Sequence, residues 1–367
     1  MNVLLSSCRL RNMSGGPNTV LQLAVRAALR GVPVRIFSAF ADPDRDSAPL
    51  LRHAESITGQ QIPAGQLTFA SARPGKDPWS FGSEDRFLAT AWGTAHLARS
   101  AIAQTSGSKF TYLIQDFEPG FFPWSSEYAL ALETYGMDML PIVNEPTVAS
   151  FLRDLKAGRF SDPDFYHQTT SFWPAVDRNF FCPESTRSRK RKLLFYARPQ
   201  QRRFMFDIGI LALKQACRRG LLPPTDWEVI GVGAHLPDIA LGNGQVLRNK
   251  PWLSFDRYAA LMRSADIMLS LSLAPHTSYP PLEAAACGAL VVTNTFGTKT
   301  AEALAQLSPD IIAAEPTPLA LAAALEQAVE SASAKKNKQD RLSLHSDWER
   351  ALEPAVDKLC EFLDSRD

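Results

Sequence analysis

Long hydrophobic runs are missing from this 367-residue chain. No stretch approaches the ~18 consecutive apolar residues needed to span a bilayer. The opening MNVLLSSCRL holds only the short apolar run VLL, too brief for a secretory leader. Cysteine is also scarce. Cys8, Cys182, Cys217, Cys287 and Cys360 are scattered, odd in number and never spaced Cys-x-x-Cys, which argues against a disulfide framework or a zinc site and for a reducing compartment. Charge of one sign is not in excess, since 39 Lys+Arg stand against 38 Asp+Glu. Such a chain has no global basic field to attract nucleic acid. The expectation is a cytoplasmic protein without a nucleic-acid partner.

What is present reads as two doubly wound α/β domains. At this length two cores of ~150–200 residues each are expected. NVLLS (2–6) is strand-like, RNMSGGPNT a polar glycine-bearing turn, Val20–Leu29 an amphipathic helix stopped by Gly31, and VPVRIFS (32–38) the next strand. QLTFA is strand-like, Glu84–Ala103 helical, and KFTYLIQ (109–115) a strand running into DFEPG. A second alternation begins near residue 190. It runs through strand RKLLFYA (191–197), helix Phe204–Arg219, strand WEVIGVG (227–233), helix 258–265, strand DIMLSLSL (266–273), helix LEAAACG (282–288) and strand ALVVTN (289–294). Helical periodicity returns over Leu319–Ala332. Alternating strands and helices predict parallel sheets covered on both faces. Residues 1–180 form the expected N-terminal domain and 181–342 the C-terminal one, with KKNKQD (335–340) as a polar hinge. A terminal amphipathic helix over 343–367, striped by Trp348, Leu352, Val356, Leu359 and Leu363, is expected to cross back to the first domain.

Ligands of such sheets bind beyond the carboxyl ends of the strands, so chemistry-bearing residues at strand ends matter most. Glu283, at the start of a helix after PHTSYPP, either accepts hydrogen bonds from a nucleotide ribose or serves as a helix-dipole carboxylate. Arg198, Arg202 and Arg203 follow a buried strand and precede a helix, where a diphosphate would meet guanidinium groups. The neighbouring run Arg187–Lys192 reads as a solvated linker, with a membrane-surface patch as the alternative. Lys299 is a further phosphate candidate or an exposed helix-start lysine. Gly15 and Gly16 allow close backbone approach to a ligand or form a plain tight turn, since no third glycine completes a dinucleotide fingerprint. Asp116 and Glu118 orient or deprotonate an acceptor, or cap a loop. Aromatics Tyr112, Phe117, Phe121, Phe122 and Trp124 surround them and suit either sugar C–H faces or packing. The Asp-x-Asp pairs Asp42–Asp44 and Asp162–Asp164 sit in polar loops and read as turns, so no metal and no cofactor is expected.

Three blocks carry a resemblance. Pro281–Gly288 followed by ALVVTN resembles the C-terminal motif of retaining family 4 glycosyltransferases, built of two Rossmann-like domains (GT-B type). WPAVDRNFF (173–181) resembles that family's entry into its C-terminal domain, and LLFYARP (193–199) its strand ending in a phosphate-binding arginine. YLIQDFEPGFFPWSSEY (112–128) and APHTSYPPLE (274–283) are similar to bacterial rhamnosyltransferases that build S-layer glycans and O-antigens from dTDP-β-L-rhamnose. One departure stands out: the family's first, sugar-facing glutamate falls at Pro275, beside His276.

The resemblance implies a nucleotide-sugar donor in a cleft between the lobes and a saccharide or lipid-linked saccharide acceptor. Taken together with the strand-end placements, the candidate donor-binding residues are Gly15, Gly16, Arg198, Arg202, Arg203, Tyr279, Glu283 and Lys299, and the candidate catalytic residues Asp116, Glu118 and His276. A peripheral contact with the inner membrane surface is compatible with the basic run. Two other classes stay open, a nucleotide-sugar 2-epimerase or hydrolase of the same fold and a non-catalytic glycan-binding subunit.

Overall fold

The computed structural model describes residues 1–72, 81–184, 189–335 and 337–364; Arg187 of the basic run and Lys336 of the 335–340 stretch lie outside them. The chain forms two compact units, Met1–Pro174 with Asp347–Asp367, and Ala175–Ser346.

The first unit runs β1 (Asn2–Leu5), α1 (Gly15–Leu29), β2 (Val34–Ser38), α2 (Ala48–Thr58), β3 (Leu67–Ser71), β4 (Phe87–Ala89), α3 (Trp92–Ile102), β5 (Phe110–Ile114), α4 (Ser126–Glu133), β6 (Met139–Asn144), α5 (Pro146–Asp154), α6 (Pro163–His167) and β7 (Thr170–Phe172). Its seven strands stand in the order β3-β2-β1-β4-β5-β6-β7, and every pairing is parallel. Strands β4, β5 and β6 are buried along their whole lengths, which explains continuous apolar runs such as FTYLI rather than alternation. The strand order reverses between β1 and β4. That is the switch point, where loops diverge and leave room for a ligand.

The stretch 84–103 corrects the sequence reading. It is not one helix, because Phe87–Ala89 is a strand paired with both β1 and β5 before α3 begins at Trp92. Periodicity favours helix throughout, and only the two long-range partners decide otherwise. Two smaller differences follow the same logic. Gly15 and Gly16 are the first two residues of α1 rather than part of a preceding turn. DIMLSLSL keeps only three residues in β12 (Ile267–Leu269, introduced below), since its partners' ladders end there.

The second unit runs β8 (Arg191–Tyr196), α7 (Phe206–Arg218), β9 (Trp227–Val232), β10 (Ile239–Gly242), β11 (Gln245–Asn249), α8 (Phe255–Ser264), β12, α9 (Tyr279–Ala286), β13 (Leu290–Asn294), α10 (Ala301–Leu307), β14 (Ile311–Ala314) and α11 (Pro318–Ala334). Its order is β10-β11-β9-β8-β12-β13-β14, parallel except for the β10–β11 hairpin. Without the edge strand β10 this is the 3-2-1-4-5-6 order of dinucleotide-binding sheets, with its switch point between β8 and β12. Gly209 lets α7 lie close on β8, because a Cβ there would stand 2.4 Å from the Phe195 ring.

The polar stretch after α11 is bound along the second unit and does not read as a free hinge. Lys335 pairs with buried Asp310 at 3.1 Å, Lys338 donates to the Arg263 carbonyl at 2.7 Å, and Asp340 pairs with Arg178 at 2.8 Å. Helix α12 (Trp348–Asp364) then rejoins the first unit. Its stripe of Leu352, Ala355, Val356 and Leu359 enters the core built by α1, β1 and β2. Among the described residues, no helix is long and apolar enough to cross a membrane.

Candidate active site

In the second unit the sequence-selected residues gather at the carboxyl edge of the sheet. Arg198 follows β8, with its Nη1 donating to the Tyr196 hydroxyl at 3.1 Å. The guanidinium lies 5.9 Å from the Tyr196 ring centroid, 6.0 Å from Phe204 and 5.6 Å from Trp252. Aromatic faces attract a cation without neutralising it, so the site keeps a preorganised positive charge for an anion. Gly233, at φ 111°, makes room for this side chain, since a Cβ would stand 2.9 Å from Arg198 Cγ. Arg202 and Arg203 form a 3-10 turn with Phe204, and the Arg203 carbonyl accepts the Leu273 N–H at 2.8 Å. The arginine turn is thereby tied to the loop after β12, across the switch point.

That loop carries a dense polar cluster. The buried Asn294 side chain clamps Ser272, accepting its N–H at 2.7 Å and donating to its carbonyl at 3.0 Å. Lys299 is 1% exposed, and its Nζ donates to the Ser272 carbonyl at 2.8 Å. It is therefore a buried cation and not an exposed helix-start lysine. Desolvating an ammonium is costly, so it needs anionic or dipolar company. The Ser272 hydroxyl is buried with no hydrogen-bond partner, an orphan donor beside this cluster.

His276 accepts the Ser278 N–H on Nδ1 at 2.9 Å. This places the ring proton of the neutral imidazole on Nε2. Ser278 holds φ 71°, a strained value for a non-glycine, of the kind that collects at functional sites. Tyr279 is the first residue of α9 and partly buried.

Glu283 lies on α9 and accepts the Tyr258 hydroxyl of α8 on Oε2 at 2.7 Å. Burial pushes its carboxyl up to about 7, with the Tyr258 bond pulling it back. The phenol of Tyr258 is itself raised well above 10, first by burial and then by the Glu283 charge. Glu283 is half-buried in the second turn of α9 and not in the first turn that the sequence suggests, and with one oxygen held by Tyr258 it has its second oxygen to offer a ligand. This arrangement exceeds what a helix-dipole carboxylate needs.

In the first unit Asp116, just beyond β5, is buried and turns Oδ1 onto the Phe117 N–H at 2.8 Å. Glu118 is also buried. Its Oε2 receives the Trp92 N–H at the start of α3 and the Tyr112 hydroxyl at 3.4 Å. The geometry thus gives Glu118 the work of holding α3. The Gly16 carbonyl accepts Gln115 Nε2 at 3.3 Å, and a Cβ on Gly16 would meet that same amide at 3.3 Å, so this glycine serves close packing of α1 on the β5 end. Asp44 accepts the Leu10 N–H and Asp162 caps α6, so both Asp-x-Asp pairs contribute turn carboxylates.

The sequence reading missed Glu145 and Tyr258. Glu145 sits between β6 and α5, is buried, and holds φ 77° while donating its N–H to the Phe172 carbonyl at 2.8 Å. Its signal was available, an acidic residue between the strand MLPIVN and a proline. Tyr258 had none, since it reads as an ordinary residue of an amphipathic helix.

The N-terminal domain of WsaF matches residues 1–145 and the C-terminal domain of WsaF residues 191–326, together more than three quarters of the chain. The O-antigen biosynthesis protein RfbC of Myxococcus xanthus is 32% identical over 276 residues, 73% of this chain. The chain spans about a fifth (20%) of the length of that relative. Among solved structures, sucrose-phosphate synthase from Thermosynechococcus elongatus is similar at TM-score 0.65 and 15% identity, covering 99% of both chains. HepE of Anabaena, in complex with UDP and glucose, is similar at TM-score 0.62 and 17% identity over 99% of both chains. These likenesses show the GT-B fold.

Proposed function

The chain is a glycosyltransferase of the WsaF family, and we propose that it transfers L-rhamnose from dTDP-β-L-rhamnose to a saccharide acceptor, with retention, in bacterial surface-polysaccharide synthesis on the cytoplasmic side. The observation that carries this reading is the set at the second unit's switch point: Glu283 braced by Tyr258 for the ribose, and Arg198 charged and ringed by aromatics for the diphosphate. HepE, of the same fold, was solved with UDP-glucose, which supports a nucleotide-sugar donor. The finer choice of sugar rests on the block 274–283. Buried Ala274 and Pro275 offer an apolar wall where the wider family has a carboxylate, and a 6-deoxy sugar presents a methyl group in place of a hydroxyl.

The C1–O bond to the diphosphate breaks, and Arg198 with Lys299 stabilises the departing charge without a metal. The acceptor oxygen bonds to C1 from the same face, and its proton passes to a leaving-group phosphate oxygen. Calorimetry should show dTDP binding at least about tenfold tighter than UDP. Equal or reversed affinity would remove the rhamnose assignment while leaving the transferase in place.

A further inference from the structure

Folding normally covers tryptophan, yet Trp124 is 97% exposed and stands parallel to the Tyr128 ring, at 3° and 6.1 Å between centroids. We propose that this pair is a stacking platform for a neutral saccharide, the acceptor glycan of the transfer reaction; the identification of the glycan as acceptor rests on the transferase reading above.

The platform is built rather than left over. The Ser125 hydroxyl caps α4 by accepting the Tyr128 N–H at 3.4 Å, which fixes the turn that sets Tyr128 near Trp124. Two residues earlier Phe122 packs edge-on against Trp92 at 5.8 Å, and the Trp92 N–H is held by the Glu118 carboxylate. The loop is thus pinned at its root while its tip aromatic stays in water. Phe121 and Leu130 of the same segment are also exposed, at 39% and 42%.

Charge selects the occupant. Residues 117–133 contain no lysine, arginine or histidine and carry Glu118, Glu127 and Glu133. Glu133 already pairs with Arg99 at 2.7 Å. With Glu118 buried, an anionic lipid surface or a phosphate-rich ligand would meet the exposed carboxylate of Glu127 there, with no basic side chain in the same segment. An uncharged sugar ring offers C–H faces to the indole and hydroxyls to Ser125, Ser126 and the carboxylate of Glu127, which is what an aromatic with polar flanks accommodates. The segment follows directly on Asp116, so the platform is continuous along the chain with the first unit's strand-end carboxylate.

The test titrates the full-length protein with a panel of neutral tri- and tetrasaccharides in rhamno-, manno-, galacto- and gluco-configuration, and separately with dTDP. Wild type should bind at least one panel member, and Trp124→Ala should weaken that binding about tenfold or more, with Tyr128→Ala also weakened and Trp124→Phe retaining most of it. Affinity for dTDP should not move. Unchanged saccharide binding in Trp124→Ala, or no panel member bound by wild type, would overturn the platform. So would loss in Trp124→Ala of binding to phosphatidylglycerol-containing vesicles with saccharide binding intact, since that outcome makes the patch a membrane contact. If dTDP fails to bind while Trp124-dependent saccharide binding holds, the donor reading falls and the platform stands.

Discussion

Arg198→Ala is expected to lower transfer from the nucleotide sugar by roughly 2–4 kcal/mol at the transition state, the largest effect of any single substitution in the donor site. The side chain follows directly from β8 at the switch point, held by the Tyr196 hydroxyl and flanked by three aromatic rings. Removing it takes away a charge that the surrounding rings cannot replace. Arg198→Lys should fall between wild type and alanine, because an ammonium keeps the charge and loses the planar fork. Thermal melts of each variant separate this loss from simple loosening around Gly233 and Trp252. If Arg198→Ala keeps near-native turnover while Arg202→Ala or Arg203→Ala abolishes it, the diphosphate clamp lies on the 3-10 turn. If all three are silent, the donor site is wrongly placed.

Glu283 should give the second large effect, and one with a pH signature. Its carboxyl is raised from the ordinary carboxylate range to about 7 by burial. A raised folded-state value means the native protein holds this proton more tightly than the unfolded chain. Its contribution to stability is therefore fully present below about 4.5 and is lost as pH rises through about 7. Ribose binding runs the other way, since the ionised form is the stronger acceptor. Affinity for dTDP-rhamnose, whose diphosphate diester does not titrate here, should weaken as pH falls from 8 to 6, by up to about tenfold per unit. Glu283→Gln should bind about tenfold or more weakly at pH 8, a loss of about 1–3 kcal/mol, and should show no such slope. Tyr258→Phe removes the one bond that holds the carboxyl down, so its affinity should begin to fall at a higher pH than wild type. Calorimetry in two buffers of different ionisation enthalpy reads the proton directly. A flat wild-type profile, or a sloping Glu283→Gln profile, would detach Glu283 from the ribose.

Much of this was legible in the sequence because parallel sheets write themselves as apolar runs. LLFYA, ALVVTN and FTYLI are buried on both faces and had to be central strands. Two of the residues proposed for the donor site were picked out for a related reason, since Arg198 and Lys299 follow shortly after β8 and β13. What escaped was set by contacts distant in sequence. Phe87–Ala89 shares its helical periodicity with α3 and becomes a strand only because β1 and β5 flank it. Lys299 stayed open between a phosphate ligand and a surface lysine because nothing local reveals that Ser272, 27 residues earlier, receives its ammonium. Tyr258 meets Glu283 through the packing of two helices, 25 residues apart. The β10–β11 hairpin was readable and overlooked. Asn243-Gly244 at φ 50° and 76° is the dipeptide that two-residue hairpin turns favour.

In the function proposed, the second unit holds a nucleoside-diphosphate sugar through Glu283 and Arg198. Titrating the full-length protein with dTDP-β-L-rhamnose at pH 8, beside Glu283→Gln and Arg198→Ala variants with unchanged melting temperatures, tests it most directly. Wild type should show a single site, and both variants should bind clearly more weakly. Wild-type binding unaltered by either substitution, or no binding of any nucleotide sugar, would contradict it.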